Sequence, residues 1–340
     1  MIAGKSGALA TLQRSGGNVS PLNTAPLPNS AAGLTITHDG KLIIAAAIDR
    51  VLFLDPARLI SGDGNPVLGS FSDGRGSQSI WVNTTADDAL LFVSEEAAAA
   101  ITVIDLARAR REGFHADAII GKIPVGRAPI ALTFSPDGRL LYTTSELASK
   151  DWGWPAACKP EGRPGNEPVN PEGAVVVIDV ARARSDPAHS VIARVPAGCS
   201  PVRLALSPAG DRLYATARNS NSVVSFDAAK LATDPDHARL GMAPVGSAPV
   251  PIALIDGGKR IVVGNSNRFA GSNAVPESLT ILDPARIRGN ADATLGSLTA
   301  GAFPRDLRLS PDGSTLFVAN FASKTLQVID VARLAARPRD

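Results

Sequence analysis

The chain has 340 residues, with 34 Lys and Arg against 32 Asp and Glu, a formal net charge of +2, and both signs spread along its length. That spread leaves no electrostatic footprint for nucleic acid or an anionic membrane surface. No apolar run nears the roughly 18 residues needed to span a bilayer. Two cysteines, Cys158 and Cys199, are too few for a disulfide framework or a four-thiolate zinc site, though they can form one bridge.

The N-terminal stretch MIAGKSGALATLQRSGG lacks the apolar core and small-residue cleavage site of a secretory signal, so no export signal is expected within it. Its residues 3–13, AGKSGALATLQ, match residues 319–329, ANFASKTLQVI, near the other end. The match predicts a third-strand segment at Ala8–Gln13 and a fourth strand or its remnant at residues 18–27. On this reading the chain starts partway through a repeating module.

Six repeats follow, each marked by a tight turn at Gly40, Asp88, Gly138, Gly210, Gly258 or Gly313. The differences between those positions are 48, 50, 72, 48 and 55 residues, and the long one holds an insertion at residues 146–173. The turns read HDG, ADD, PDG, PAG, DGG and PDG, residue types that tolerate or preset turn conformations. Before each turn lies an alternating strand, as in Ile130, Leu132 and Phe134. After it comes a more continuous apolar run such as Leu316–Ala319.

Third strands end on Asp55, Asp105, Asp179, Asp227, Asp283 and Asp330, and a base follows three residues later: Arg58, Arg108, Arg182, Lys230, Arg286 and Arg333. An aspartate there can cap a short helical turn and pair with the base. Recurrence in every module favours that structural role over a binding stripe. A fourth strand, such as Val191–Val195, precedes each Gly-x-x-Pro corner. Four antiparallel strands per repeat of forty to fifty residues predict an all-β propeller in one domain over residues 1–340.

The unit Gly-x-x-Pro, apolar strand, Ser-Pro-Asp-Gly, Leu-Phe-Val-Ala-Asn, Val-Ile-Asp resembles the YVTN-type β-propeller repeat. It is clearest in residues 301–334, 198–231, and 126–145 joined to 174–182. Repeats one, two and five are looser, with Ala31 and Ser79 where proline stands elsewhere. The resemblance takes in YncE-like exported proteins and the seven-bladed lactonases. It implies seven blades and a periplasmic or secreted setting. None of the histidine-bearing lactonase motifs occurs. The strand count leaves six blades or an incomplete seven open: seven third strands but six each of the first, second and fourth.

Successive loops alternate between rims, so the turns share one rim and the Gly-x-x-Pro corners the other. The insertion Glu146–Gly173 falls on the corner rim, rich in proline and glycine, and reads as an irregular loop. Trp152 and Trp154 favour its folding down as a lid. Cys158 in the loop and Cys199 in the next corner share that rim, and a bridge between them implies an oxidising compartment. The same rim collects Trp81, Arg203, Arg305 and Asp306 near first strands, and Glu95, Glu146, Arg218, Asn265 and Asn320 after second strands. Oxygens of Glu95, Glu146, Asn265 and Asn320 have the chemistry of a Ca²⁺ site, as in six-bladed lactonases of the gluconolactonase kind. His38, His115, His189 and His237 all fall toward the opposite rim, which weakens histidine-driven hydrolysis.

Two functions are therefore expected. The first is a binding or scaffold propeller engaging a small molecule or protein on the corner rim. The second is a metal-assisted lactone or ester hydrolase. Neither nucleic acid nor a membrane span enters either reading.

Overall fold

A computed structural model describes residues 2–3, 7–15, 18–162, 167–269, 277–289 and 291–335. The fold is all-β, a propeller of antiparallel blades in which strand order follows chain order. The second repeat, for example, pairs Ser79–Thr84, Leu90–Glu95, Ala100–Asp105 and Ile119–Pro124 in sequence. Five repeats form four-stranded sheets of this kind. The sixth contributes Pro304–Leu309, Thr315–Asn320 and Thr325–Asp330, and the N-terminal segment forms Ile2–Ala3, Ala8–Ser15 and Asn18–Pro26. The expected census of first, third and fourth strands is what the sheets contain. Ile2–Ala3 adds a short piece where a second strand stands in the match to residues 319–329.

Burial explains the two strand patterns read from the sequence. In repeats one to five the second and third strands are covered on both faces, so Leu90–Glu95 is buried at every position and needs no polar face. Fourth strands are outermost and alternate, as in Val191–Pro196. The core lies between neighbouring sheets: Ile44, Val51 and Phe53 of repeat one pack with Val82, Leu91, Val93 and Ile104 of repeat two. Phe53 is fully buried and stacks on Phe114 at 4.4 Å between ring centroids. Burying such a side chain is worth about 1.5–3 kcal/mol.

The turns are built by side chains as well as by glycine. Thr37, Ser135 and Ser310 each donate to the aspartate two residues on, at 2.6, 2.6 and 2.5 Å, and that carboxylate accepts the amide of Lys41, Arg139 or Ser314. All six marker positions have positive φ, including the non-glycine Asp88. Asp88 uses its carboxylate on the preceding turn, accepting the amides of His38 and Asp39 at 3.0 and 3.1 Å. Burial opposes its ionisation, yet those bonds outweigh it and hold the carboxyl below its ordinary value.

The aspartates that close the third strands cap short helices. Asp55, Asp105 and Asp179 accept amides at the starts of Pro56–Ser61, Leu106–Glu112 and Val180–Ser185. The predicted pairing with the base three residues on is present for Asp55 with Arg58 and Asp330 with Arg333, at 3.4 and 3.7 Å. Arg108 instead reaches Glu112 and Asp117.

The chain divides into two compact units, residues 1–143 with 178–192 and residues 144–177 with 193–340, the division running through repeat three. No helix among the described residues is long and apolar enough to cross a membrane.

Candidate functional site

The first strands of repeats two to six are entered on the corner rim through a left-handed residue: Gln78, Ala128, Ser200, Ala248 and Phe303 all have φ between 49° and 54°. In four of these five corners a proline follows, and in the other, at Gln78, Ser79 stands in its place. Directly after, the register with the second strand slips in repeats two, four, five and six, between Ser79 and Trp81, Pro201 and Leu204, Pro249 and Ile252, and Pro304 and Asp306. Such bulges at a rim re-aim side chains, and those re-aimed here include Arg203 and Arg305. The corner glycine is needed for space. A Cβ on Gly246 or Gly301 would lie 2.6 Å from the amide of Asn265 or Asn320.

Those asparagines staple second strand to third. Asn265 Nδ2 donates to Ser278 and Thr280 at 2.9 and 2.8 Å, and Asn320 Nδ2 donates to Thr325 at 3.3 Å. Asn265 Oδ1 and Asn320 Oδ1 are buried acceptors with no hydrogen-bond partner among the described residues. Glu95 holds the same register position in repeat two, opposite Ser79, and accepts from Thr102 and Lys122. Among the described residues no group of three or more His, Cys, Asp and Glu could hold a metal ion.

Beside Glu95 lies a second buried carboxylate that sequence reasoning missed. Asp73, 3% exposed, accepts from Ser77 at 3.0 Å and from Ser79. Burial pushes its carboxyl up, against those two hydrogen bonds, and burial likewise raises Glu95 despite Lys122 and Thr102. The available signal was Ser79 and Glu95 departing from the proline and asparagine of other repeats at paired positions.

The insertion is fixed at several points. Cys158 and Cys199 are disulfide-bonded, with Cα atoms 5.6 Å apart. Arg218 Nε donates to Glu161 at 2.5 Å, and its Nη1 lies 2.9 Å from Glu146. Arg218 and both carboxylates are largely buried, and the two acids hold the guanidinium charged more firmly than usual despite its desolvation. Asn219 Nδ2 donates to the Lys159 carbonyl at 2.9 Å, and Glu172 meets Arg239 at 3.3 Å. The loop is not wholly irregular, since Ala156–Cys158 pairs with Asn170–Pro171. Residues 163–166 lie outside the described residues. Trp152 and Trp154 form an edge-on pair at 5.4 Å, with Arg194 5.0 Å over Trp152. Arg194 belongs to the outermost strand Val191–Pro196, so the tryptophan pair lies against the blade's outer edge.

Further along the rim arginines alternate with phenylalanines. Arg268 lies 4.9 Å from the Phe269 ring and 5.5 Å from Phe303, Phe303 meets Phe321 edge-on, and Arg305 lies 4.8 Å over Phe321. Phe269 is 45% exposed and also faces Arg218 and Gly162 of the insertion. Arg203 is buried, and desolvation pulls its guanidinium down to about 10 despite nearby Asp306. Asp306 is also 3.4 Å from Arg308. Trp81 is half-buried opposite Ser94. Thus residues 144–177 and 193–340 bring together Glu146, Arg203, Arg218, Arg305 and Asp306, and add Glu161, Arg268, Phe269, Phe303 and Phe321. The phenylalanines were missed because an aromatic next to a corner reads as core.

The histidines keep to turns and to third-to-fourth connections, His38 on Asp88, His189 on Asp186 and His237 on Asp234. His115 begins the connection into Ile119–Pro124.

No protein-family model matches the chain, and no curated protein matches it. Solved structures do. A provisionally assigned 6-phosphogluconolactonase from Bacteroides uniformis is 16% identical over 92% of this chain and 84% of its own, with a TM-score of 0.67. A second, from Bacteroides fragilis, is 14% identical over 93% and 83%, also at 0.67. A chain of a mitotic checkpoint complex is 15% identical over 96% and 85%, at 0.64. At these identities the likeness is one of fold, and propellers host many functions.

Proposed function

We propose that the chain is a recognition propeller of the YVTN kind that binds an anionic ligand or partner surface on the corner rim of residues 144–177 and 193–340. The observation that carries this reading is the alternation of Arg268 and Arg305 with Phe269, Phe303 and Phe321. Guanidinium groups resting on rings keep their charge while presenting flat, partly apolar surface, a combination suited to anions with a carbon framework. The cross-linked insertion supplies one wall without having to order on binding. The disulfide also favours an exported setting.

A lactone or ester hydrolase is the second reading. It draws on the names of the two Bacteroides structures and on the buried acceptors Asn265 Oδ1 and Asn320 Oδ1, which have the chemistry of calcium ligands. Two experiments separate the readings. Calorimetric titration with 6-phosphogluconate is expected to detect binding that Arg268→Ala weakens about tenfold, a loss typical of one charge-assisted contact. Hydrolysis of the corresponding lactone should not exceed the uncatalysed rate. Stoichiometric calcium, a melting temperature lowered by EDTA and lactone turnover would together replace the recognition reading with the hydrolase one.

A further inference from the structure

In repeats two, three and five the residue five beyond the third-strand aspartate is an arginine that reaches back to the hairpin turn of the preceding repeat. In repeat two that residue is Arg110. Its Nη1 and Nη2 donate to the Asp39 carboxylate at 2.9 and 3.1 Å, and Nη2 also donates to Thr37 at 3.1 Å. In repeat three it is Arg184, beside Asp87. Hydrogen bonds from Thr85 and the Ala89 amide hold that carboxyl low, and Arg184 adds to them. Repeat five supplies Arg288 at the same position. The turn of repeat four, however, has Ala209 where the earlier turns have Asp39 and Asp87, two residues after Ser207, Thr37 and Thr85 respectively.

An arginine is thus delivered to a turn that lacks its carboxylate, and its backbone is held there. Met242 N donates to the Gly289 carbonyl at 2.6 Å and Gly289 N to the Leu240 carbonyl at 3.0 Å. The approach is so close that a Cβ on Gly241 would lie 2.2 Å from the Gly289 nitrogen. Ala209 and Arg288 line a cavity of ≈ 450 Å³, together with Asp211, Tyr214, Leu240 and Ile287. Asp211 lines the cavity too, its carboxylate accepting the Ser207 hydroxyl at 2.7 Å, but among the described residues no hydrogen bond or ion pair joins it to Arg288. Tyr214 is 3% exposed. Among the described residues neither its hydroxyl nor the Arg288 guanidinium has a hydrogen-bond partner.

We propose that this cavity is a binding site for a small organic carboxylate, whose carboxylate group takes the place held by the Asp39 and Asp87 side chains in the earlier turns. It would accept from Arg288 and Tyr214 while its apolar body rests on Leu240 and Ile287. A cavity of this volume is within the range of small-molecule sites. The site is on the turn rim, independent of the corner-rim reading.

The test is titration of the full-length chain with benzoate, followed by protein and ligand NMR, with benzamide as the neutral control. Benzoate is expected to saturate and to perturb Tyr214, with benzamide about tenfold weaker because it forfeits the charge-assisted bonds. Arg288→Ala should weaken benzoate by a similar factor. Ala209→Asp should do the same by installing the internal carboxylate, without lowering the melting temperature. Absence of benzoate binding to the wild-type chain would overturn the proposal. So would undiminished benzoate binding by folded Ala209→Asp, or inorganic phosphate competing as well as benzoate.

Discussion

Asp73 is a carboxylate placed where water barely reaches, with two serine hydroxyls as its solvation. Because burial raises its folded-state value above the ordinary 3.8, the native state binds the proton more tightly than the unfolded chain does. The resulting stabilisation is complete below the ordinary value and is lost as pH rises through the folded-state value. Asp73→Asn keeps an acceptor for the serines and removes the titration. Its melting temperature is expected to gain on wild type as pH rises from 4 toward 7, and parallel melting curves across that range would refute the assignment. Glu95, also raised by burial, remains as a second source of pH dependence. At this scale the sequence revealed residue types more readily than roles. Asn265 and Asn320 stood out as polar ends of apolar strands, yet their pairing with Ser278, Thr280 and Thr325 depends on cross-strand register. Asp73 left no mark because a lone aspartate in a loop matches no period.

Among the elements, the 146–173 insertion departs most from the repeat. The cysteine pairing was legible because counting loops put Cys158 and Cys199 on one rim. The roles of Glu161 and Gly162 were not, since an aperiodic loop gives no register from which to infer neighbours. The bridge closes a sequence separation of 41 residues, for which the chain-entropy model gives about 4 kcal/mol. Replacing both cysteines by alanine should lower the denaturation midpoint accordingly, and reducing agent should reproduce the shift in wild type. An unchanged midpoint would mean that Arg218, with Glu146 and Glu161, anchors the loop unaided. Buried ion clusters of this kind resist the loss of one partner strongly, by about 3–5 kcal/mol.

For the whole molecule, the fold was legible because a period near fifty residues repeats the same order of turn, apolar run and aspartate. Each of those signals has a local physical cause. Function was not legible, because the side chains of the corner rim differ from repeat to repeat, with Glu95, Asn265 and Asn320 at one register position. Burial also sets a stability gradient. Second strands such as Leu90–Glu95 are covered throughout, whereas Asn18–Pro26 and Thr325–Asp330 are half-exposed. Native-state hydrogen exchange should therefore be slowest in the second and third strands of repeats one to five and fastest in the first and last sheets. Uniform protection would contradict this.

Asp88 closes its own turn with a backbone conformation that usually falls to glycine, while its carboxylate serves the amides of His38 and Asp39 one repeat earlier. Arg110 returns from repeat two to the same Asp39. The repeats therefore carry addresses. Cut and rejoined in another order, they would keep their strands but lose their neighbours' keys, so the linear sequence of modules is itself information that the shared motif does not contain.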